Sequence, residues 1–489
     1  MASQDNSAQP DKTWLAKLRA EPNYRLTALI VACAMFMEHF DATVLATALP
    51  TIARDYHAPV ADLSSAITAY LLALAIFIPV SGRLVDRFGP RSVFRAAVLI
   101  FVGSSILCAF SWSILSLTAA RFLQGAGGAI MVPVGRLVIL RVARKDQIVS
   151  AMAWLLVPML IGPMLGPPIG GLIVTHLNWR WIFYVNVPIG LLGVALISLF
   201  IDTEKSDERR PLDWKGFFIL GIALGALLFG FEGASRAGAA LSSPALVGIG
   251  LIAGALYIGH ARRVAHPVLD LTLLKDQSFR LSTIAGSLVR ITQGGQAFLF
   301  PLLFQVGLGM NAAASGALIL FLAGGALAAK AFTARILRGL GFRSTMLFNG
   351  LIISVLFALC GLIQADWPKP AVAGLLGVSG FFMSIQFTAY NTVAFEHIDQ
   401  ARMSSASSFY FTFQQMLLSL GVSIGALALR SSMLAARRVE PRPADFAVAF
   451  GVICVITATA TFTHLQFPAY AGEGLNGRPV QGRKRFGRR

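Results

Sequence analysis

The sequence predicts an all-α polytopic membrane protein of about fourteen spans, built as two parallel-repeat six-helix bundles with two inserted helices. Three observations predict it. The 489 residues are 56% hydrophobic and only 13% charged, with a mean hydropathy of +0.69, where soluble domains carry ~25% charged residues. Apolar runs of eighteen residues or more recur along nearly the whole chain, and ~20 residues at ~1.5 Å rise cross a ~30 Å hydrocarbon core. Short stretches also return at a fixed distance: RFGPRS at 87–92 as GLGFRS at 339–344 (offset 252), Asp146-Gln147 as Asp399-Gln400 (253), and Leu49-Pro50 as Phe300-Pro301 (251). Such an offset equals eight spans and preserves orientation, so the halves are parallel repeats about an axis along the membrane normal. Repeats of this kind favour alternating access around a central site.

In chain order, a polar segment 1–24 precedes spans at 25–50, 60–82, 92–111, 113–135, 148–173 and 181–201. These six make the N-terminal bundle, 25–201. A linker, 202–278, holds inserted spans at 214–233 and 243–261. The C-terminal bundle, 279–465, holds spans at 279–306, 311–334, 344–364, 370–394, 402–429 and 445–465, followed by a basic tail, 466–489. The first run carries Glu38, His39 and Asp41 and has no small-residue cleavage site, so it reads as a retained span and not a signal peptide. Trp112, Trp179, Trp181, Trp214 and Trp367 fall at span ends, where amphipathic rings meet the headgroups.

Basic residues set the orientation. With the N-terminus inside, 31 of the 41 lysines and arginines are cytoplasmic and eight are outside, while Arg121 and Arg290 lie within spans. Both termini are therefore expected on the cytoplasmic side of the inner membrane. Four arginines in 430–442 stand against that bias. The tail RPVQGRKRFGRR reads as topogenic, with anionic lipid headgroups as an alternative contact.

A net charge of +18 invites a nucleic-acid reading, but the basic residues sit in short gaps between apolar runs, which membrane topology explains and a nucleic-acid face does not. Cys33, Cys108, Cys360 and Cys454 each stand alone in an apolar run, without metal-ligand spacing, as small buried side chains. No phosphate-cradling glycine loop, zinc-type cluster or nucleophile–base pair appears. Enzymatic chemistry and ATP-driven transport both lack their residues, and no metal, cofactor or obligate protein partner is expected.

Four stretches carry the functional signal. Span 1 reads MEHFDATVLATALP. An acid near a span centre costs ~2.5–3.5 kcal/mol, and Glu38 and Asp41, three residues apart, share a face that must point into the bundle or a wet cavity. Span 4 reads LTAARFLQGAGGAI, with Arg121 at about the depth of Asp41, so Asp41 or Glu38 is its counter-charge. Span 5 reads GPMLGPPIGG: Gly162, Gly166, Gly170 and Gly171 clear one face for close packing, and Pro163, Pro167 and Pro168 bend the helix. The matching surface is expected at Gly324, Gly325, Ala328 and Ala329 of span 10. The loop after span 2 reads GRLVDRFGPRSVF.

Together these stretches resemble the fourteen-span drug:proton antiporter group of the major facilitator superfamily. The resemblance covers essentially the whole chain, is densest over 36–190, and extends to WRWIFYVNVPIG at 179–190. It implies the major facilitator fold. It also implies proton coupling at Asp41 with Glu38 and Arg121, a conformational loop motif of Gly82, Asp86, Arg87, Gly89 and Arg91, and an antiporter motif of Gly162, Pro163, Gly166, Pro167, Gly170 and Gly171. In the loop motif, Gly82 would let span 2 approach a helix of the other half, Asp86 would cap that helix, and the arginines would supply charge partners. The sequence departs from the group at Ala46, where asparagine is usual, and at Pro90, where a basic residue is usual. Span 10 also lacks the acid that favours divalent organic cations in some members.

In the second half Gln293 is the repeat counterpart of Asp41. Arg290, Gln293, Gln296, Phe298, Gln386, Asn391, Phe411 and Gln414 are the candidate cavity residues. The expected function is proton-gradient-driven export of amphipathic, drug-like small molecules, with substrate, protons and membrane lipids as partners. Rocking of the bundles is expected to alter the Asp41–Arg121 distance or the exposure of Asp41 to water. Export of one endogenous metabolite, such as an amino acid or a siderophore-like acid, is the alternative. A non-transporting receptor or scaffold is a second, opposed by the cost of burying Asp41, Glu38 and Arg121.

Overall fold

The computed structural model describes residues 24–142, 148–201, 212–234, 242–399, 402–438 and 440–467, and among these the regular structure is entirely helical. The N-terminal segment to residue 23, parts of three loops (143–147, 202–211 and 235–241) and the tail from 468 lie outside the described residues. The first half holds α1 (Tyr24–Asp55), α2 (Ser64–Phe88), α3 (Pro90–Ala109), α4 (Ile114–Val142), α5 (Ile148–His176) and α6 (Asn186–Phe200), the last entered through the turn Trp181–Tyr184. The hairpin of α7 (Trp214–Ala234) and α8 (Ser242–Ala261) follows. The second half holds α9 (Gln277–Leu302), α10 (Ala312–Leu340), α11 (Phe342–Gly361), α12 (Lys369–Ala394), α13 (Met403–Ala435) and α14 (Pro443–Thr463).

Among the described residues, twelve helices are long and apolar enough to cross a membrane. In α9 the apolar character is diluted by Arg280, Arg290, Gln277, Gln293 and Gln296. Leu99, Leu107, Phe218, Leu256 and Val455 are exposed on the outside, as lipid contact requires.

The repeat is present in the backbone. α3 and α11 begin and end 252 residues apart, each preceded by a glycine at positive φ, Gly89 at 84° and Gly341 at 77°. His57 (φ 51°) and Gly309 (φ 68°) keep the same spacing. Without a Cβ, the two glycines turn the chain sharply between antiparallel helices. Packing repeats as well: α1 lies on α5, α2 on α4 and α3 on α6, and likewise α9 on α13, α10 on α12 and α11 on α14. Between the halves α5 meets α10, α2 meets α13 and α1 meets α9; α7 leans on both α2 and α13.

The two ends of the assembly differ. At the end bearing Asp62 the halves are joined. Arg430 reaches Asp62 at 3.3 Å, Gln305 donates to the Thr47 carbonyl at 2.9 Å, and the Ala313 amide donates to the Thr175 hydroxyl at 3.1 Å. This accounts for part of the arginine group at 430–442: Arg430 bridges to the first half, and Arg438 pairs with Asp445 at 3.0 Å. Trp179 is buried here, donating to Asp55 at 3.0 Å, instead of facing headgroups like the exposed Trp112, Trp181 and Trp214.

At the end bearing Gly89 a cavity of about 1060 Å³ lies between the halves, lined among others by Gly82, Asp86, Leu137, Arg280 and Arg402. The 262–276 segment crosses its rim. Arg83 donates to the His266 and Pro267 carbonyls, and Arg402 to Asp270 at 2.7 Å. Burial raises the Asp270 pKa, but the Thr272 and Arg402 hydrogen bonds outweigh it and hold the carboxyl below its ordinary value. Gly82 corrects one expectation. A Cβ there would meet nothing within 4 Å, so it makes no close approach to a helix of the other half, because the cavity separates the halves at that level. Arg91 bonds within its own half, to the Ser198 carbonyl, and Arg87 lies over the Phe88 ring.

Candidate transport site

Asp41 is fully buried on α1, and three donors converge on its carboxylate. Arg121 of α4 reaches Oδ2 at 2.5 Å, while Gln124 of α4 and Asn186 of α6 each reach Oδ1 at 3.0 Å. Arg121 also donates to Gln124 Oε1 at 2.6 Å, and its guanidinium lies 4.3 Å from the centre of the Tyr70 ring. Ser105 of α3 accepts from Gln124 at 2.7 Å and from Asn186 at 3.4 Å. The expected counter-charge is thus Asp41. Glu38 instead accepts from Tyr70 at 3.3 Å and pairs with His39, whose Nδ1 also meets the Met35 carbonyl at 2.9 Å.

The sequence pointed to the ions but not to their neutral partners. Gln124 stands one helical turn after Arg121, and Asn186 lies in the quoted stretch at 179–190. A single polar residue inside an apolar run was the available signal for both. A further buried acid, Glu232 of α7, was visible as the lone acid of its span. It accepts from Ser64 and Thr68 of α2 and from Ser423 of α13, the last at 2.8 Å, so it lies where the inserted hairpin meets both halves.

The glycines of α5 do what their spacing implies. A Cβ on Gly162 would lie 3.0 Å from His39 Cβ and 3.1 Å from the Phe40 nitrogen, and Gly170 backs onto Val44; Gly166 faces Thr43. Gly171 abuts the Ala312 backbone of α10, and Gly316 abuts the Pro167 carbonyl. The α10 surface facing α5 is therefore Ala312, Ala313 and Gly316, not the expected stretch at 324–329. Gly325 abuts Gly377 of α12, and a Cβ on Gly324 would meet nothing within 4 Å. The helix runs unbroken through Pro163, Pro167 and Pro168.

In the second half the structure unites Arg290, Gln293 and Gln414. Arg290 donates to Gln414 Oε1 at 2.6 and 3.0 Å and to Gln293 Oε1 at 2.8 Å, with its guanidinium 4.1 Å over the Phe387 ring. Asn391, half-buried one turn beyond Phe387, donates to that residue's carbonyl. Other candidates lie elsewhere. Phe298 is fully buried in the apolar core. Gln296 is also buried, at 4% exposure. Gln386 belongs to a cluster inside the half, with Asn349 of α11 at 2.9 Å, Tyr390 at 3.2 Å and His464 beyond α14, because its side of α12 faces α11 and α14. Phe411 is exposed, and the ring on Arg290 is that of Phe387.

Residues 31–422 match the Major Facilitator Superfamily model. This chain belongs to that superfamily. A relative in Haemophilus influenzae, named transport protein HsrA, is 34% identical over 409 residues, covering 83% of this chain and 88% of that protein. Relatives named multidrug resistance protein MdtD are 34% identical in Pectobacterium carotovorum (82% of this chain, 86% of that one) and 32% identical in Escherichia coli (83% and 86%). Solved superfamily-type transporters share the fold at low identity. A D-xylose–proton symporter aligns with a TM-score of 0.65 at 13% identity (92% of this chain, 99% of that one). A POT family transporter in complex with 5-aminolevulinic acid aligns with a TM-score of 0.66 at 14% identity (91% and 96%). The protein is thus a multi-pass membrane transporter and not an enzyme. It is similar over most of its length to bacterial transport proteins, which implies the inner membrane.

Proposed function

We propose that this transporter is a proton-coupled antiporter that exports amphipathic small molecules by alternating access. The observation that carries the reading is the Asp41 site: a carboxylate sealed inside the first half, with its charge matched by Arg121 and its lone pairs filled by Gln124 and Asn186. Three donors on two oxygens suit the ionised form. A proton on Asp41 would cancel the charge that holds Arg121 and turn one acceptor into a donor, so the network must rearrange. The multidrug-resistance names of the MdtD relatives favour drug-like cargo.

Asp41 and Arg121 both belong to the first half, so rigid rocking of the bundles leaves their distance unchanged. Coupling then acts through water access and through α1, which packs on α5 while α5 meets α10. On this reading the spans number fourteen, and the bundles fall at 25–201 and 279–465. The Gly89 end faces the cytoplasm with both termini, and the structure is inward-open. Loading Asp41 from outside and unloading it inside biases the two states in opposite directions.

The test is uphill flux in proteoliposomes under an imposed proton gradient, screened against a mixed panel of amphipathic compounds. Accumulation that collapses when an uncoupler is added is expected. Flux that only runs downhill and ignores the gradient refutes proton coupling.

A further inference from the structure

The halves differ in charge at equivalent positions. On the 252-residue register that relates Gly89 to Gly341, Glu38 corresponds to Arg290 and Asp41 to Gln293. The first half buries two acids and one arginine. In the second half none of the helices α9 to α13 contains an acidic residue, the acids between them (Asp366, Glu396 and Asp399) being in loops, while Arg290 lies on α9.

Arg290 is set like Arg121, over an aromatic ring and against glutamine oxygens, but without the acid. Its partners are Gln293, Gln414 and Phe387, and among the described residues it makes no ion pair. On α10 the exposed Lys330 donates to the Thr388 hydroxyl at 3.1 Å. Intramembrane cations without a matching acid are costly, and polar contacts alone offset only part of that cost.

The cavity at the Gly89 end carries the same sign. Five basic side chains line it (Arg83, Arg262, Lys275, Arg280 and Arg402) against Asp86 and Asp270. A low-dielectric cleft lined with one sign of charge concentrates ligands of the other.

We infer that Arg290, with Gln293, Gln414 and Phe387, is the headgroup site for an organic anion, and that the exported cargo is an amphipathic monoanion of the carboxylate type. The planar fork that Nε and Nη2 now direct at the neutral Gln414 oxygen matches a carboxylate, which would take that oxygen's place, and Phe387 offers a face to an attached apolar body. The inference rests on the export reading and narrows its substrate class.

Binding to the purified full chain in detergent tests it without requiring proton coupling. Three probes share one apolar body and differ in charge: naphthylacetate, naphthylacetamide and naphthylethylammonium. Wild type should bind naphthylacetate about tenfold or more tighter than the amide, the weight of one charge-assisted hydrogen bond. R290Q should bring the two within about twofold, and R290K should keep part of the preference, with monodisperse elution verifying that each variant is folded. Equal or tighter binding of the ammonium or amide probe by wild type overturns the inference. So does an anion preference that survives R290Q, or no naphthylacetate binding at millimolar concentration. Loss of naphthylacetate binding in phosphatidylglycerol nanodiscs, but not in phosphatidylcholine, would assign the site to lipid headgroups and also overturn it. Gradient-driven export of the ammonium probe would leave the antiporter reading standing without an anion site.

Discussion

Replacing Asp41 with asparagine is the sharpest test of how the first half is held together. The carboxylate receives Arg121 on one oxygen and Gln124 and Asn186 on the other. Asparagine keeps one acceptor and brings an NH2 group, so whichever way it turns, one set of donors faces another donor. It also leaves Arg121 without a counter-charge at 1% exposure. Breaking a buried pair from one side costs ~3–5 kcal/mol, and D41N should lose about that much, together with all uphill transport. Arg121→Gln removes the cation while Gln124 and Asn186 still hold the carboxylate, so its loss should be smaller. The double variant removes both charges and should be more stable than the sum of the two losses by ~2 kcal/mol or more, as contacting residues are not additive. The assay is a double-mutant cycle of unfolding in mixed micelles, with flux measured in parallel. Additive losses, or a D41N protein as stable as wild type, would refute the assignment of Asp41 and Arg121 as one buried unit.

Two further outcomes follow from the ends of the molecule. Leucine at Gly316 has to displace the Pro167 backbone and so part the halves at the closed end. Crosslinking between cysteines at Thr175 and Ala313 should fall severalfold in G316L, and an unchanged yield would show that the contact closes nothing. Asp270 carries a pKa below its ordinary value. Its bond to Arg402 is therefore fully present above the unfolded carboxylate range and is lost only as pH falls through the lowered folded value. Protease sensitivity of the 262–276 segment should accordingly stay flat from about pH 8 to 5, and D270N should raise it at neutral pH; a rise across that window in wild type would contradict the tether.

Much of this architecture was legible because membranes make polarity expensive. Asp41 and Arg121 stood out as charges inside apolar runs, and the glycine spacing of α5 named a packing face that the structure fills with α1. The echo of 87–92 at 339–344 located the repeat, down to two glycines in the same backbone conformation. What stayed hidden was direction. Gln386 and Gln414 are equally polar and equally helical, yet one turns toward Asn349, Tyr390 and His464 and the other toward Arg290. Spacing within a single helix does not reveal which neighbour a face will meet. The same ambiguity misplaced the partner surface of α5 by more than three helical turns along α10 and put Phe298 on a cavity wall when it is core.

The position of Glu232 bears on how such a chain is altered over time. Its carboxylate is seated among hydroxyls of α2 and α13, so the hairpin that carries it fits both halves as a key fits two wards of one lock. Excising α7 and α8 would bare the Ser64, Thr68 and Ser423 hydroxyls to hydrocarbon, while a hairpin with a neutral side chain at 232 would leave the same hydroxyls to find other acceptors. Grafting the hairpin onto a twelve-helix scaffold would therefore call for those serines and that threonine along with it.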